Sequence, residues 1–101
     1  MLESVYVRVL ARDLGRTGHR VEIQKPISFE FEGLQFKNGY KVDLFVDDLV
    51  VVEVKSAAAL TPADHKQLLT YLKLMNCKLG LLINFGSPLL KNGLKRVANG
   101  L

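Results

Sequence analysis

Two short apolar segments separated by a well-marked helix constrain the fold of this chain more than any other feature. The segments Leu49–Val54 and Leu79–Asn84 have the length and composition of buried strands. Between them, Thr61 and Pro62 predict a helix start, because Thr is a favoured N-cap residue and Pro is favoured at the first helical position. We expect this helix to run to about Asn76 and to link two parallel neighbours of one sheet.

The preceding residues predict a helix and then a β-meander. Residues 2–14 carry apolar side chains at three- and four-residue spacing, which is typical of an amphipathic helix. From Val21 apolar and polar residues alternate, with an interruption at Pro26. Tyr40–Val46 is a further β-rich stretch, and a short helix or coil is expected from Leu89 onwards. The predicted fold is α/β, a central mixed sheet flanked by helices in the order α-β-β-β-α-β.

Length and composition limit the class of protein. A chain of 101 residues with 49% hydrophobic and 24% charged residues is expected to form one globular domain over residues 1–101. The net charge of +4 leans weakly towards an acidic partner such as nucleic acid. The single cysteine excludes an internal disulfide, and no apolar run approaches a membrane span or a signal peptide. These features predict a soluble, cytoplasmic protein without a membrane partner.

The residues that best suggest chemistry are two acids and a lysine on neighbouring predicted strands. Alternation places Glu53 and Lys55 on the same face of their strand. If Val46 faces Val50 across the turn, Asp43 lies directly opposite Glu53, about 5 Å away at Cβ. Two carboxylates at that distance repel each other, whereas a divalent cation between them makes the arrangement favourable.

This interpretation depends on the length of the turn. A two-residue connection shifts the register by one residue, so that Asp43 faces Val52 and the site is lost unless a bulge restores it. The alternative is that the three charged residues are ordinary side chains on a solvated sheet face. On the second helix, Gln67 and Tyr71 are four residues apart and share one helical line beside the core stripe. That pair is typical either of a site or of a stripe edge.

Together these residues resemble the PD-(D/E)XK nuclease superfamily, in particular its branch with a Gln-x-x-x-Tyr helix motif, and more closely the small bacterial GxxExxY proteins. The likeness covers essentially the whole chain, and it implies a restriction-endonuclease-like core. The segments that carry it are Leu2-Glu3-Ser4-Val5-Tyr6, Gln24-Lys25-Pro26, Asp43, Glu53-Val54-Lys55, Leu60-Thr61-Pro62, Gln67-Leu68-Leu69-Thr70-Tyr71 and Leu81-Leu82-Ile83-Asn84-Phe85-Gly86.

The resemblance implies a divalent-metal-dependent nuclease acting on nucleic acid, with DNA expected before RNA. Asp43 and Glu53 are then the ligands of Mg²⁺ or Mn²⁺, with the Val54 carbonyl as a further ligand. Lys55 is expected to position the attacking water and to offset negative charge in the transition state. Glu3 is expected to assist the metal or its water from the first helix.

The resemblance also assigns roles to residues outside the metal site. Gln67 and Tyr71 are expected to orient the catalytic groups or the scissile phosphate. Five basic residues are candidates for contacts with the nucleic-acid backbone, and such contacts weaken as salt increases. They are Lys41, Lys66, Lys91, Lys95 and Arg96.

One departure from the family pattern concerns the N-terminus. The pattern has a glycine three residues before the glutamate, preceded by another helix, whereas this sequence begins at Met1. We expect a domain that lacks this first helix, which would leave Glu3 on an unsupported turn and expose apolar surface for a second copy to cover. The alternative function is a nucleic-acid-binding or regulatory module that keeps the nuclease fold with little activity.

Overall fold

The computed structural model describes residues 2–100, so that Met1 and Leu101 lie outside the described residues. Five strands form one sheet in the order β1-β2-β3-β4-β5, in which β3 and β4 are parallel and the other neighbours are antiparallel. The predicted mixed sheet flanked by helices is therefore confirmed. The elements are α1 (Glu3–Arg16), β1 (Val21–Phe31), β2 (Leu34–Val46), β3 (Val50–Lys55), α2 (Pro62–Met75), β4 (Leu79–Asn84), α3 (Leu90–Gly93) and β5 (Leu94–Ala98).

The strand–helix–strand unit forms where the sequence predicts it. The Thr61 hydroxyl oxygen accepts from the Asp64 backbone N–H at 3.3 Å, and the Thr61 N–H donates to the Asp64 carboxylate at 2.9 Å. This reciprocal capping box satisfies two N–H groups that the first turn leaves without helical partners. The helix ends at Met75, and the following C-cap residue, Asn76, takes the left-handed conformation with φ 57°. β3 and β4 then pair in parallel, from Val50 opposite Leu79 onwards.

The two long helices cover opposite faces of the sheet. α2 packs on one face and α1 on the other, each over alternate side chains of the central strands. No helix within residues 2–100 has the length and apolar character needed to cross a membrane. The buried residues on the α2 face are Ile27, Val42, Phe45, Val51, Leu68, Tyr71, Leu72, Leu82 and Val97. Those on the α1 face are Val7, Ala11, Leu44, Val46, Val52 and Val54.

β1 and β2 form a hairpin that is longer than the sequence predicts. Pro26 does not interrupt β1, because β1 is an edge strand and proline lacks only the N–H that an edge strand can leave unpaired. Asn38 lies in a bulge within β2, at φ 55°, and its N–H donates to the Ser28 hydroxyl at 3.1 Å. The turn at Glu32 and Gly33 closes the hairpin with both residues at positive φ.

The C-terminal segment adds a strand that the predicted order omits. After the four-residue α3, Leu94–Ala98 pairs antiparallel with β4 as the second edge strand. Only Val97 among these five residues is buried. The sequence Leu-Lys-Arg-Val-Ala also lacks a clear alternation of apolar and polar residues. For this reason it predicts a short helix or coil rather than a strand.

Candidate functional site

The β2–β3 connection has the odd length that the site requires. Val46 faces Val50 and Leu44 faces Val52, so continuing the count places Asp43 opposite Glu53. The ladder itself stops at the Leu44–Val52 pair, so Asp43 and Glu53 are one step beyond the paired residues. Beyond this point the two carboxylates provide the connections between the strands.

The turn between β2 and β3 is anchored from outside the hairpin. The Asp47 carboxylate accepts from the Arg20 backbone N–H at 2.8 Å and lies 2.7 Å from the His19 Nδ1. The hydrogen bond with His19, followed by that from Arg20, lowers the pKa of Asp47 below its usual range. These bonds support the three-residue connection that fixes the strand register.

The Asp43 carboxylate lies in the gap between β2 and β3. Its Oδ2 accepts from the Val54 N–H at 2.8 Å, and its Oδ1 accepts from the Gln24 side-chain amide at 3.2 Å. The Asp43 N–H in turn donates to the Glu53 Oε2 at 3.2 Å. Gln24 lies on β1 and has a positive φ of 53°, so β1 is irregular beside this carboxylate. The two acids are therefore linked to each other and to the same short stretch of backbone.

Glu53 is an acid in an unfavourable environment. Its side chain is buried, with a residue exposure of 5%. Burial first, and then the adjacent Asp43 carboxylate, raise the pKa of Glu53 to about 9. Lys55 opposes this rise only weakly. A buried carboxylate next to another carboxylate is the donor set expected for a divalent cation with oxygen ligands, so these residues fit Mg²⁺ or Mn²⁺.

The Val54 backbone faces the same gap. In a strand the N–H and C=O of one residue point to the same side, and the Val54 N–H points to Asp43. Its carbonyl is therefore directed towards the side on which β2 has separated from β3. The sequence prediction of the Val54 carbonyl as a ligand is compatible with this direction.

Lys55 is held at the end of β3 by residues of α2. Its Nζ donates to the Gln67 Oε1 at 3.0 Å and lies 3.9 Å from the Asp64 Oδ1. The positive charge is thus fixed on the α2 side, the side that Glu53 also faces. Asp64 is not among the predicted site residues, because its role in capping α2 is sufficient to account for an acid at this position.

Tyr71 lies one helical turn beyond Gln67, over the same region. Its ring is buried, and desolvation followed by the charge of Glu53 raises the pKa of the Tyr71 phenol. The phenol therefore stays protonated and available as a donor. The ring also contacts Tyr40, at 5.4 Å between centroids and an interplanar angle of 48°.

Glu3 contacts the end of β3 from the opposite face. Its Oε2 accepts from the Ser56 N–H at 2.8 Å, and Tyr6 stacks on Phe85 at 4.3 Å between centroids. α1 is thereby fastened to the ends of β3 and β4. Within residues 2–100 no three His, Cys, Asp or Glu side chains form a metal-binding group, so Glu3 does not complete a three-acid cluster with Asp43 and Glu53.

Asn84 is a structural residue of the site that the sequence prediction missed. It is 3% exposed, and its Oδ1 accepts from the N–H groups of Ala57 at 2.9 Å and Gly86 at 3.1 Å. Its Nδ2 donates to the Ala57 carbonyl at 3.0 Å. A Cβ on Gly86 would lie 2.3 Å from that carbonyl oxygen, so only glycine permits this approach. The segment after Lys55 is held against β4 in this way.

The five predicted backbone-contacting residues are exposed but do not share one surface. Lys95 and Arg96 are adjacent on β5, so their side chains point to opposite faces of the sheet. Lys41 lies on β2, Lys66 on α2 and Lys91 on α3. A further basic row, at four-residue spacing along the exposed side of α1, was not predicted although the spacing is visible in the sequence. It consists of Arg8, Arg12 and Arg16.

The mixed five-stranded sheet, with a long helix on each face, is consistent with a restriction-endonuclease-like fold. A sequence profile of the PD-(D/E)XK nuclease superfamily matches residues 1–97, and the chain belongs to this superfamily. The crystal structure of SSO0001 has a similar fold, with a TM-score of 0.65 and 20% sequence identity. The likeness covers 98% of this chain and 51% of that one, so this chain spans about half the length of SSO0001. No curated protein matches the sequence significantly.

Proposed function

We propose that this protein is a divalent-metal-dependent nuclease that hydrolyses phosphodiester bonds of nucleic acid, with DNA as the expected substrate. The observation that carries the proposal is the buried Glu53 beside Asp43. Burial and the neighbouring carboxylate raise the pKa of Glu53 to about 9. A structural role alone gives no reason for burying Glu53 beside a second carboxylate without a strong cationic partner. Membership of the nuclease superfamily supports the same chemistry.

In this proposal Asp43 and Glu53 hold Mg²⁺ or Mn²⁺, with the Val54 carbonyl as a third oxygen donor. The metal, when bound, supplies Lewis-acid polarisation of the phosphodiester and a more acidic water. Lys55 places a positive charge beside the scissile phosphate, and its bond to Gln67 keeps that charge in position.

The remaining site residues are proposed to position the reacting groups. Tyr71 keeps a protonated phenol next to Glu53 and can donate to a phosphate oxygen. Glu3 fixes the Ser56 end of β3 and from there can orient a water molecule. Exposed basic residues, among them Lys66 and the arginines of α1, neutralise backbone phosphates. The single cysteine is consistent with a reducing cytoplasm as the place of action, and residues 1–101 are proposed to act as one domain.

A cleavage assay tests the proposal directly. Purified protein is incubated with circular single-stranded and supercoiled double-stranded DNA, in Mn²⁺, in Mg²⁺ and in EDTA. We expect cleavage only with metal, and its loss in Asp43→Asn and Glu53→Gln proteins that retain native circular dichroism. Cleavage in EDTA, or by both variants at the native rate, would contradict the proposal. Metal-dependent binding without cleavage would favour the binding-module alternative.

A further inference from the structure

The distal half of the β1–β2 hairpin carries a row of aromatic rings on its α2 side. Phe29 stacks with Phe36 at 5.1 Å between centroids and with Tyr40 at 5.3 Å, at interplanar angles of 16° and 12°. Phe36 and Tyr40 remain 40% and 43% exposed. Large aromatic side chains normally lose most of their exposure on folding, so a nearly parallel row at the surface requires an explanation.

The row forms one wall of a groove. The groove has a volume of about 480 Å³ and runs between the hairpin and the Thr70 and Leu74 side of α2. Phe29 can lie flat against the hairpin because residue 39 is glycine; a Cβ there would approach the ring to 2.5 Å. The bulge at Asn38 and Gly39 thus creates the aromatic wall. A volume of this order is typical of pockets that take small planar ligands.

The groove leads directly to the proposed catalytic site. Tyr40 contacts the ring of Tyr71, and the nearby Glu53 carboxylate contributes to the raised pKa of Tyr71. On α2, Thr70 in the groove wall is adjacent to Tyr71 and three residues from Gln67, which holds Lys55. A strand bound in the groove would therefore lie beside Tyr71, on the side of the sheet that Glu53 faces.

The charges around the groove suit a polyanion at its site-proximal end. Lys66 lies one helical turn before Thr70, whose hydroxyl donates to the Lys66 carbonyl at 2.9 Å, and Lys66 is exposed. Within residues 2–100 Lys66 forms no ion pair. Glu30 lines the groove farther out on the hairpin. A phosphate near Lys66 with a base in the groove keeps the chain's negative charge away from Glu30.

We propose that this groove binds the unpaired bases of a single-stranded nucleic acid and directs that strand to Asp43, Glu53 and Lys55. The inference rests on the proposed function and narrows its substrate to single strands, or to duplexes with unpaired ends. Bases of a duplex are stacked on each other and present no free face to an aromatic wall, whereas every unpaired base does. Stacking on aromatic rings is tolerant of sequence, so we expect little base preference.

Binding without metal separates this inference from the nuclease activity. Fluorescence anisotropy in EDTA measures the affinity for a labelled single strand and for the same strand in a blunt duplex. Quenching of 2-aminopurine within the single strand reports stacking itself. The informative pair is Phe36→Ala and Phe36→Leu, because leucine keeps the apolar volume and removes the aromatic face. Leu34→Ala is the control, because Leu34 is an exposed apolar residue of the same hairpin that does not line the groove.

We expect the native protein to bind the single strand more tightly than the duplex and to quench 2-aminopurine. Both Phe36 variants should bind the single strand about tenfold more weakly, with duplex affinity unchanged, while Leu34→Ala behaves like the native protein. Native affinity and native quenching in the Phe36→Leu protein would overturn the inference. So would a dimer by sedimentation velocity that Phe36→Ala converts to monomer, because a second copy would then occupy the groove.

The cleavage assay keeps the two proposals distinguishable. If Asp43→Asn binds the single strand like the native protein but the native protein does not cleave, the groove proposal stands and the nuclease proposal fails. If the native protein cleaves single and double strands equally and Phe36→Ala is as active as the native protein, the groove proposal fails and the nuclease proposal stands.

Discussion

The ends of β2 and β3 and the distal half of the β1–β2 hairpin depart from the usual rules of burial in opposite ways. Around β3, polar side chains are buried: Glu53 at 5% and Asn84 at 3% exposure. On the hairpin, Phe31 and Leu34 are 60% and 63% exposed. A fold optimised only for stability would bury the apolar side chains and expose the polar ones.

The two departures differ in how their groups are satisfied. Asn84 has internal partners for its amide, and the described residues contain no buried side-chain polar atom without a hydrogen bond. Glu53 is hydrogen-bonded, yet Lys55 only weakly offsets the burial and the Asp43 carboxylate that raise the pKa of Glu53 to about 9. The exposed rings of the hairpin lack a covering surface. This contrast separates Asn84, which completes the structure, from Glu53 and Phe36, which we propose to bind ligands.

The largest expected effect is on catalysis at the buried end. Replacing Lys55 by alanine removes the positive charge held by Gln67, and we expect the cleavage rate to fall about 10²–10³-fold. Initial cleavage rates at saturating Mn²⁺ measure this loss. Lys73→Ala is the matched control, because it also removes a lysine but lies in the last turn of α2. Cleavage by the Lys55→Ala protein at the native rate would point to a contaminating enzyme.

The second prediction concerns pH and the stability of the metal-free protein. The pKa of Glu53 is raised by folding, so folding favours its protonated form and the stabilising effect is present below the unfolded pKa of 4.5. As pH rises from there towards about 9, the free energy of unfolding should fall, by at most about 1.4 kcal/mol per pH unit.

Urea denaturation in EDTA at several pH values measures this dependence. Glu53→Gln supplies the control, because the other titrating groups are unchanged and the difference between the two curves isolates Glu53. Parallel curves for native and Glu53→Gln proteins would show that Glu53 is not perturbed.

The third prediction tests Asn84 as a group that completes the structure. Asn84→Ala leaves two N–H groups and one carbonyl without their partner, and we expect about 3 kcal/mol of destabilisation. Asn92→Ala, at an exposed position, should change the free energy of unfolding by less than about 0.5 kcal/mol. Equal effects in urea denaturation would mean that the Ala57 segment does not depend on Asn84.

The smallest effect is expected on the hairpin. Phe31→Ser removes an apolar side chain that is already 60% exposed, so the free energy of unfolding should change by about 0.5 kcal/mol or less. The midpoint of urea denaturation should also be independent of protein concentration. A loss of more than about 1.5 kcal/mol that grows with concentration would show that another copy covers this ring.

The sequence predicted most where local signals agreed with the fold. Thr61 and Pro62 marked α2 to within a residue, and the apolar run of β4 was found at its observed bounds. The β2–β3 register, with Val46 opposite Val50, was predicted only as one of two possibilities, since the turn alone left two lengths open. β5 was missed because Lys95 and Arg96 occupy an edge strand, where charge is tolerated and alternation is lost.

Features that depend on long-range contacts could not be predicted. Asn84 carries a side chain that usually signals a turn, and its partner Ala57 is 27 residues away in sequence. The aromatic groove needs Phe29, Tyr40 and Thr70 brought together by the bulge at Asn38. In isolation Phe29, Phe36 and Tyr40 resemble ordinary core residues, so the sequence alone does not predict an exposed aromatic wall.

Metal binding tests most directly whether Asp43 and Glu53 share a cation. Isothermal titration calorimetry of Mn²⁺ into the native, Asp43→Asn and Glu53→Gln proteins, with Asp13→Asn as an exposed control, reports uptake without any nucleic acid. We predict one bound Mn²⁺ per native and Asp13→Asn chain, with release of protons as Glu53 ionises, and its loss in both site variants. Equal uptake by all four proteins, or none by the native protein, would contradict the account.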